Sequence, residues 1–240
     1  MKYKMLKSVM LLSVILIFLQ SFIDQNKGDN KLTRSQKKEG WQLLFNGRNL
    51  NGWRTYQNKQ SNSWSVKDGT LYCKPVTSKE DVRSDLITKD TYENFDLSVD
   101  WKISDKGNSG ILYMVTEDYK TSYLSGPEYQ IIDDINYPEK LEPWQKTGSN
   151  YAMNPAPDAD IKPAGTWNHT EIIVNNLHVQ HWLNNKKIVE YDLYGDEWKK
   201  NKMEGKWKDA PGYGMSKRGH IALQDHGSEA WFKNIIIKQL

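Results

Sequence analysis

Two short apolar segments of the sequence contain polar residues that could do chemistry. In the first, Glu128 and Gln130 lie two positions apart, so a strand would place both side chains on one face. A carboxylate there could act as an acid or a base, with an amide beside it to bind sugar hydroxyls. Burying such groups is costly unless they are hydrogen-bonded. This segment is therefore the leading candidate, with a solvent-exposed sheet face as the alternative.

The second segment covers residues 219–227 and contains a histidine near its end. Gln224 and His226 share one face of an extended chain, whereas Ile221 and Leu223 point to the other. A histidine titrates near neutral pH and can serve as an acid, a base or a metal ligand. From the sequence, a role for His226 in a site and a purely structural role are both open.

The remaining candidates for substrate contact come from turns and from a long loop. Arg83 precedes one strand-like segment and Asn108 opens another, although residues at such positions are often simply turn residues. Trp144 and Tyr151 lie in a proline-rich loop, residues 134–165, whose length is typical of functional loops and whose aromatic residues favour order. The sequence contains no G-x-S-x-G, no H-E-x-x-H, no cysteine-based metal motif and no dinucleotide fingerprint.

The sequence pattern predicts that the elements that position these residues are β-strands. Apolar and polar residues alternate strictly over residues 94–103, which predicts a strand with one buried face. Asp68 and Gly69 separate two further strand-like segments and form a strong hairpin signal. About a dozen short strands with turn residues between them, and no βαβ alternation, predict an all-β fold. We expect a single antiparallel β-sandwich or jelly roll over residues 41–240, interrupted by the proline-rich loop.

The N-terminal residues differ in character from the rest of the chain. Three lysines precede an apolar run, which predicts a signal peptide over residues 1–23. Residues 24–40 are polar and charged, which predicts a linker. We therefore expect an exported protein, periplasmic or extracellular after cleavage of the leader. An uncleaved N-terminal membrane anchor is the alternative, because no A-x-A cleavage motif is present.

The charge balance argues against some classes of partner. The 33 basic and 30 acidic residues give a net charge of +3, and the leader contains three lysines but no acidic residue. The rest of the chain is therefore balanced, which argues against a nucleic-acid partner and against a membrane partner beyond the leader. Cys73 is the single cysteine and allows no internal disulfide, so stability must come from a hydrophobic core.

A series of short motifs in a fixed order carries a resemblance to a known family. In chain order they are Leu44-Phe45-Asn46-Gly47, Trp64 with Asp68-Gly69, Asp85-Leu86-Ile87-Thr88, Asn108-Ser109-Gly110-Ile111, Glu128-Tyr129-Gln130-Ile131, Trp167-Asn168, Leu183-Asn184 and Ile221 through Gly227. From about Trp41 to the C-terminus, the series resembles the 3-keto-disaccharide hydrolase domain family. One departure is the segment Leu112-Tyr113-Met114 after Ile111, where members of this family often have an arginine.

The resemblance implies a concanavalin-like jelly roll and an oxidised glycoside or disaccharide as substrate. A ketone at C3 acidifies the C2 proton, so a base can remove that proton and the C1 leaving group can depart by elimination. Water then adds, and the net result is hydrolysis. On this reading Glu128 is the base and His226 its proton partner, with Gln130 and Gln224 as hydrogen-bond donors. Asn108, Tyr151, Trp144 and Arg83 are the expected substrate contacts.

Three points stay open at this level. A divalent cation could polarise the ketone, with Asp133 and Asp225 as candidate ligands, but the sequence establishes no cofactor. A 3-keto-glycal hydratase or lyase would perform half of the same reaction with the same residues. A non-catalytic carbohydrate-binding module would use the aromatic residues alone. The sequence gives no indication of the oligomeric state.

Overall fold

The computed structural model describes residues 28–157 and 159–240. The predicted signal peptide, residues 1–23, lies outside the described residues. The described part of the chain forms mainly short strands, as the turn pattern predicted. The strands are β1 (Gln42–Leu43), β2 (Trp53–Thr55), β3 (Trp64–Lys67), β4 (Thr70–Cys73), β5 (Leu86–Thr88), β6 (Phe95–Ile103), β7 (Asn108–Val115), β8 (Glu128–Ile132), β9 (Asn168–Asn175), β10 (His178–Leu183), β11 (Lys186–Asp192), β12 (His220–Leu223) and β13 (Ala230–Gln239).

These strands form two antiparallel sheets, which confirms the predicted antiparallel β-sandwich. The larger sheet has the order β11-β10-β9-β6-β13-β4-β3, and β1 pairs with β13. The smaller sheet has the order β2-β5-β12-β7-β8. Neighbours in each sheet are mostly distant in sequence, as in the pairing of β6 with β13. The hairpin predicted at Asp68 and Gly69 joins β3 to β4, and both turn residues have positive φ, as a type I′ turn requires.

The alternation along β6 has the expected consequence for the core. Phe95, Leu97, Val99 and Trp101 are completely buried and belong to the main hydrophobic cluster. The Trp101 indole N–H donates a hydrogen bond of 2.8 Å to Oγ1 of Thr170 on the adjacent strand β9. The large ring is thus buried without leaving its polar atom unpaired.

The smaller sheet presents different surfaces on its two faces. Tyr129 and Ile131 of β8 belong to the main core, so Glu128 and Gln130 point to the outer face. Glu128 pairs with Leu112 of β7, and Leu112 belongs to a second apolar cluster on this sheet. The members of that cluster are Tyr56, Ile87, Leu112, Val115 and Ala222. The candidate carboxylate therefore lies beside an apolar surface, where water solvates it poorly.

Residues 148–151 of the proline-rich loop follow strand β8 as an additional edge. The backbone of Gly148 donates to Gln130 O (2.9 Å), Gln130 N donates to Ser149 O (3.1 Å), and Tyr151 N donates to Glu128 O (3.0 Å). Nδ1 of the buried His181 lies 2.9 Å from Gly148 O and ties the loop to the larger sheet. The loop borders the outer face that carries Glu128.

The described residues also form two α-helices, α1 (Arg34–Lys38) and α2 (Asp196–Glu204), and three short 3₁₀ helices, Tyr56–Asn58, Ser122–Leu124 and Pro143–Gln145. Helix α1 lies in the region predicted as a linker, and here the structure differs from the expectation. Asn30 and Asn234 exchange backbone-to-side-chain hydrogen bonds of 2.7 and 2.9 Å, which fix this segment to β13. The polar side chains of Asp29 and Asn30 are therefore used to bind the sheet, whereas most of residues 31–40 are exposed. Within residues 28–157 and 159–240, no helix is long and apolar enough to cross a membrane.

Candidate functional site

Most of the candidate residues meet at one cleft on the outer side of the smaller sheet, which we call the Glu128 cleft. Strand β8 supplies two of its residues, the start of β7 one, and the segment after β12 two more, while the proline-rich loop and the segment after α2 complete the wall. The cleft is lined by Asn108, Tyr123, Glu128, Gln130, Tyr151, Lys206, Trp207, Gln224 and His226. The structure thus brings together six of the residues singled out from the sequence.

Glu128 is the most unusual ionisable group of this cleft. Glu128 is only 4 % exposed, and this burial raises the pKa of its carboxyl group to about 8. The negative charge of Asp85 raises this pKa further, whereas the charge of Lys206 and a hydrogen bond from the Gln224 side chain act in the opposite direction. A carboxylate with such a pKa is a stronger base than an ordinary glutamate and exchanges its proton near neutral pH.

His226 lies at the mouth of the cleft and is exposed on its outer side. The protein around the ring displaces water and lowers the pKa of His226, and the nearby charge of Lys206 lowers it further, against the opposing charge of Asp225. The ring is therefore mainly neutral at pH 7. A neutral imidazole can accept a proton, which fits a role as proton partner.

Three amide side chains surround Glu128 and supply polar contacts. Gln130 and Gln224 are almost completely buried, at 2 and 8 % exposure. Oε1 of Gln224 and Oδ1 of Asn108 are buried and have no hydrogen-bond partner within the described protein. Buried amide oxygens without partners are rare in native proteins, so both atoms are suited to accept hydrogen bonds from a ligand.

The aromatic wall of the cleft differs in part from the expectation. Tyr151 lines the cleft as predicted, but Trp144 does not. Trp144 instead packs edge-on against Tyr151, with ring centroids 5.6 Å apart. Trp144 therefore supports the ring of Tyr151 from behind. Trp207 lines the cleft and donates its indole N–H to Tyr151 O at 3.1 Å. Trp144 therefore lies behind Tyr151, and its contact with a substrate stays a prediction.

Arg83 lies in a neighbouring cleft, which we call the Arg83 cleft. It is lined by Tyr56, Lys59, Arg83, Ser84, Asp85, Lys120, Thr121, Ser122, Tyr123, Gln224, Asp225 and His226. Nε of Arg83 donates to Oδ1 of Asp225 at 2.7 Å, and Nη2 donates to Lys74 O at 2.9 Å. The structure therefore separates Arg83 from Glu128, because an ion pair with Asp225 holds it in the adjacent cleft.

The two candidate metal ligands do not form a cation site in the described residues. Asp133 lies outside both clefts, and its carboxylate accepts backbone N–H groups of Lys106 (2.9 Å), Ile135 (3.1 Å) and Asn136 (3.2 Å). Burial opposes ionisation of Asp133, but these hydrogen bonds outweigh it and lower its pKa. Asp225 is paired with Arg83. No group of three or more His, Cys, Asp or Glu residues in the described part of the chain is arranged to hold a metal ion, so we assign no step to one.

Lys206, like Tyr123 and Trp207, lines the cleft without having been singled out from the sequence. Its ammonium group lies 4.3 Å from the ring centroid of Tyr151 and 5.0 Å from that of Trp207, within the Glu128 cleft. Leu112 of the neighbouring strand belongs to the apolar cluster beside Glu128. Lys206 is the one lysine or arginine among the residues that line this cleft. In the sequence, the available signal for this cation was the set of tryptophans spaced along the segment around α2.

An antiparallel sandwich with a polar and aromatic cleft on one sheet is typical of carbohydrate-active proteins. Comparison with known families makes this class specific. The 3-keto-alpha-glucoside-1,2-lyase-like domain matches residues 40–238, and the chain belongs to this family of glycoside hydrolase-like enzymes. The resemblance noted from the ordered motifs is thereby confirmed.

Individual relatives agree with this assignment. A 3-keto-disaccharide hydrolase of Bacteroides thetaiotaomicron is 33 % identical over 229 residues, which cover 84 % of this chain and 79 % of the relative. The crystal structure of a candidate glycosyl hydrolase from Parabacteroides distasonis is 41 % identical, with a TM-score of 0.82, and covers 89 % of this chain and 100 % of that chain. A second candidate glycosyl hydrolase of that organism is 31 % identical, with a TM-score of 0.64, over 83 and 99 % of the two chains.

Proposed function

We propose that this protein cleaves 3-keto-glycosides by removing the C2 proton, eliminating the C1 leaving group and adding water. The observation that carries the proposal is the buried carboxyl group of Glu128, whose pKa is raised to about 8 within the Glu128 cleft. An ordinary glycosidase needs two opposed carboxylates at the scissile bond. In this cleft Glu128 is the one carboxylate among the lining residues. A single base suits a substrate whose C2 proton is already acidic.

In the first step the carboxylate of Glu128 takes the proton from C2. The electron pair of the C–H bond forms the enolate, whose negative charge lies largely on the C3 oxygen. The enolate then re-forms the ketone and its electron pair forms the C1–C2 double bond. The C1–O bond breaks, and the leaving group departs with the electron pair of that bond and takes up a proton. The product is an unsaturated ketone with a double bond between C1 and C2. Addition of water across this bond, with return of a proton to C2, completes the hydrolysis.

Several side chains that line the cleft can stabilise the charges that develop in these steps. Lys206 supplies a cation near Glu128, and the amides of Gln130 and Gln224 supply N–H donors, which suit stabilisation of the enolate oxygen. His226, mainly neutral and at the mouth of the cleft, is placed to exchange a proton with the leaving group or with the added water.

The test is turnover of purified protein with a 3-keto-glycoside and with its parent glycoside in deuterated water. We expect cleavage of the oxidised substrate only, with deuterium at C2 of the released sugar. Hydrolysis without C2 deuterium would exclude the elimination mechanism. Accumulation of the unsaturated ketone without hydration would identify a lyase, in keeping with the name of the family. Binding of unmodified oligosaccharide without any turnover would favour a binding module.

The base is tested by Glu128→Gln, which keeps the shape of the side chain and removes its basicity. Loss of a general base costs about 10²–10⁴-fold in kcat, whereas loss of a sugar contact raises KM more than it lowers kcat. Glu80→Gln is the matched control, because Glu80 is exposed and lies outside both clefts. A kcat of Glu128→Gln within threefold of the wild type would remove Glu128 from the mechanism.

We also propose that the protein acts outside the cytoplasm. The support is the sequence alone, in which three lysines precede an apolar run before residue 24. Export would place the enzyme where oxidised glycosides from the environment are available.

A further inference from the structure

The outer face of the larger sheet carries a pocket that the proposed reaction does not use. Ser98 and Asp100 of β6 and His169 and Glu171 of β9 alternate with core residues and so point to this face. Helix α1 and the residues that follow it complete the wall of this space, which we call the His169 pocket. Its volume of about 480 Å³ lies within the ~300–1,000 Å³ typical of small-molecule sites. The lining residues are Gln36, Glu39, Trp41, Ser98, Asp100, His169, Glu171, Asn234 and Ile236.

The lining of the His169 pocket is negatively charged. Nδ1 of His169 lies 2.6 Å from Oδ1 of Asp100, and Nε2 lies 3.6 Å from Oε1 of Glu171. Burial opposes protonation of His169, but these two carboxylates outweigh it and raise its pKa to about 9. Glu39 is a third carboxylate of the lining. With His169 protonated, three negative charges and one positive charge leave the lining with a net charge of −2.

The lysines beside the pocket do not neutralise this charge. Nζ of Lys233 is paired with Asp29 at 2.9 Å, and Nζ of Lys238 lies 4.0 Å from Oδ2 of Asp96. Burial and the charge of Glu171 together raise the pKa of Asp96 to about 6, against the opposing charge of Lys238. Each of these lysines therefore has an acidic partner outside the lining, and the pocket itself lacks positive charge.

A second observation, independent of the charges, also points to a polar ligand. Ser98 is 7 % exposed and lines the pocket, while its neighbours Leu97 and Val99 are in the core. Its hydroxyl has no hydrogen-bond partner within the described part of the chain, and unlike the fully enclosed unpaired atoms its Oγ keeps accessible surface. A hydroxyl buried to this extent is normally hydrogen-bonded. Ser98 is therefore suited to bind a hydroxyl group of a ligand in the pocket.

The chemistry of the lining narrows the class of ligand. Carboxylates repel a phosphate or a carboxylate, and no group of three or more His, Cys, Asp or Glu in the described residues is arranged to hold a metal ion. The 3.6 Å between Glu171 and His169 exceeds a hydrogen bond, so the Glu171 carboxylate can accept one from an ammonium group. The Ser98 hydroxyl and the Gln36 amide suit hydroxyl groups, and Trp41 suits the apolar face of a ring.

We infer that the His169 pocket is a second ligand site, which binds a small organic cation that carries hydroxyl groups, of the class of an amino sugar with a free ammonium group. The ammonium group would lie at Glu171 and the hydroxyl groups at Ser98 and Gln36. The pocket and the Glu128 cleft lie on the outer faces of different sheets, so this inference does not depend on the proposed function.

The test is titration calorimetry of the purified protein at pH 7 with glucosamine and with N-acetylglucosamine, which has a similar ring but no charge. We expect glucosamine to bind, and N-acetylglucosamine to bind at least tenfold more weakly. Glu171→Gln should weaken glucosamine binding about tenfold or more, the cost of a charged hydrogen bond, and Ser98→Ala about fivefold. Glu80→Gln is the matched control, because Glu80 is exposed and lies outside the pocket.

Three results would overturn the inference. They are no binding of glucosamine, equal binding of the two sugars, and binding that neither Glu171→Gln nor Ser98→Ala weakens. Equal affinity for putrescine, a cation without hydroxyl groups, would overturn the assignment of a hydroxylated ligand. Glu128→Gln should bind glucosamine as the wild type does, since a loss there would place the ligand in the Glu128 cleft instead. An unchanged Tm shows that the variants are folded, and Ser98→Ala keeps the test valid if Glu171→Gln is unstable.

Discussion

Gly110 of strand β7 lies directly against the carboxyl group of Glu128. A methyl group on Gly110 would lie 2.4 Å from Oε1 and 3.0 Å from Cδ of Glu128. Real carbon atoms do not approach this closely, so the Glu128 side chain occupies its position only because residue 110 has no side chain. The strand pairing explains the contact, because Gly110 is opposite Gln130 and Leu112 is opposite Glu128.

Gly110→Ala should therefore displace the carboxyl group of Glu128 with little effect on the fold. The atoms that must move are at the end of a flexible side chain, so we expect a small change in Tm. Displacing a catalytic group by about 1 Å can cost up to ~10²-fold in rate, and kcat is the measurement. Gly28→Ala is the control, because its nearest neighbours are Lys31 atoms at 3.6 Å or more. An unchanged kcat would show that the position of Glu128 is not critical.

The raised pKa of Glu128 predicts the pH dependence of the rate. The base must be ionised, so kcat/KM should rise with pH and level off above about 8, the pKa of Glu128 in the free protein. Burial lowers the pKa of His226 below its ordinary value, so this ring is neutral at pH 8. A pH–rate profile for a 3-keto-glycoside checks this, and a profile that is flat between pH 6 and 9 would contradict it.

The same pKa predicts the pH dependence of stability. Because burial raises the pKa of Glu128 from 4.5 to about 8, the folded protein holds a proton that the unfolded chain loses between these values. The unfolding free energy contributed by this group is therefore fully present below pH 4.5 and decreases as the pH rises towards 8. Glu128→Gln should match the wild type in Tm at pH 4 and exceed it at pH 8. Equal Tm values at both pH values would show that Glu128 is not strongly perturbed.

Lys206 should contribute both to the rate and to the ionisation of Glu128. Its charge lowers the pKa of Glu128, so Lys206→Met should move the rising limb of the pH–rate profile to higher pH. The variant should also lower kcat at its own pH optimum, because the enolate loses a nearby cation. Lys208→Met is the matched control, since Lys208 is exposed and lies outside both clefts. Similar profiles for the two variants would exclude this role for Lys206.

The leader should be removed on export. Expression in a bacterium with the native N-terminus is expected to give a mature chain that begins within a few residues of Ser21, because the charged start and apolar run are those of a secretory signal. N-terminal sequencing of the exported protein is the measurement. Recovery of the full-length chain in the membrane fraction would favour the N-terminal anchor.

The sequence by itself determined the strands and their faces. Side chains alternate along a strand, so the pattern of residues 94–103 was sufficient to place Phe95 and Trp101 in the core. The same rule placed Glu128 and Gln130 on one face. Turn residues with positive φ, such as Asp68 and Gly69, marked a hairpin correctly because few residue types adopt that backbone. These are local properties of the chain.

The tertiary structure decided which side chains share a cleft. Lys206 lines the same cleft as Glu128, and Trp144 lies behind Tyr151. Arg83 pairs with Asp225, and the carboxylate of Asp133 accepts hydrogen bonds from backbone N–H groups. Each outcome depends on strand order and on how the loop after β8 follows that strand. Those pairings join residues that are far apart in sequence, and their hydrogen bonds leave no local pattern of residue types. The set of residues that line the cleft could therefore be identified only from the tertiary structure, in which the strands are paired.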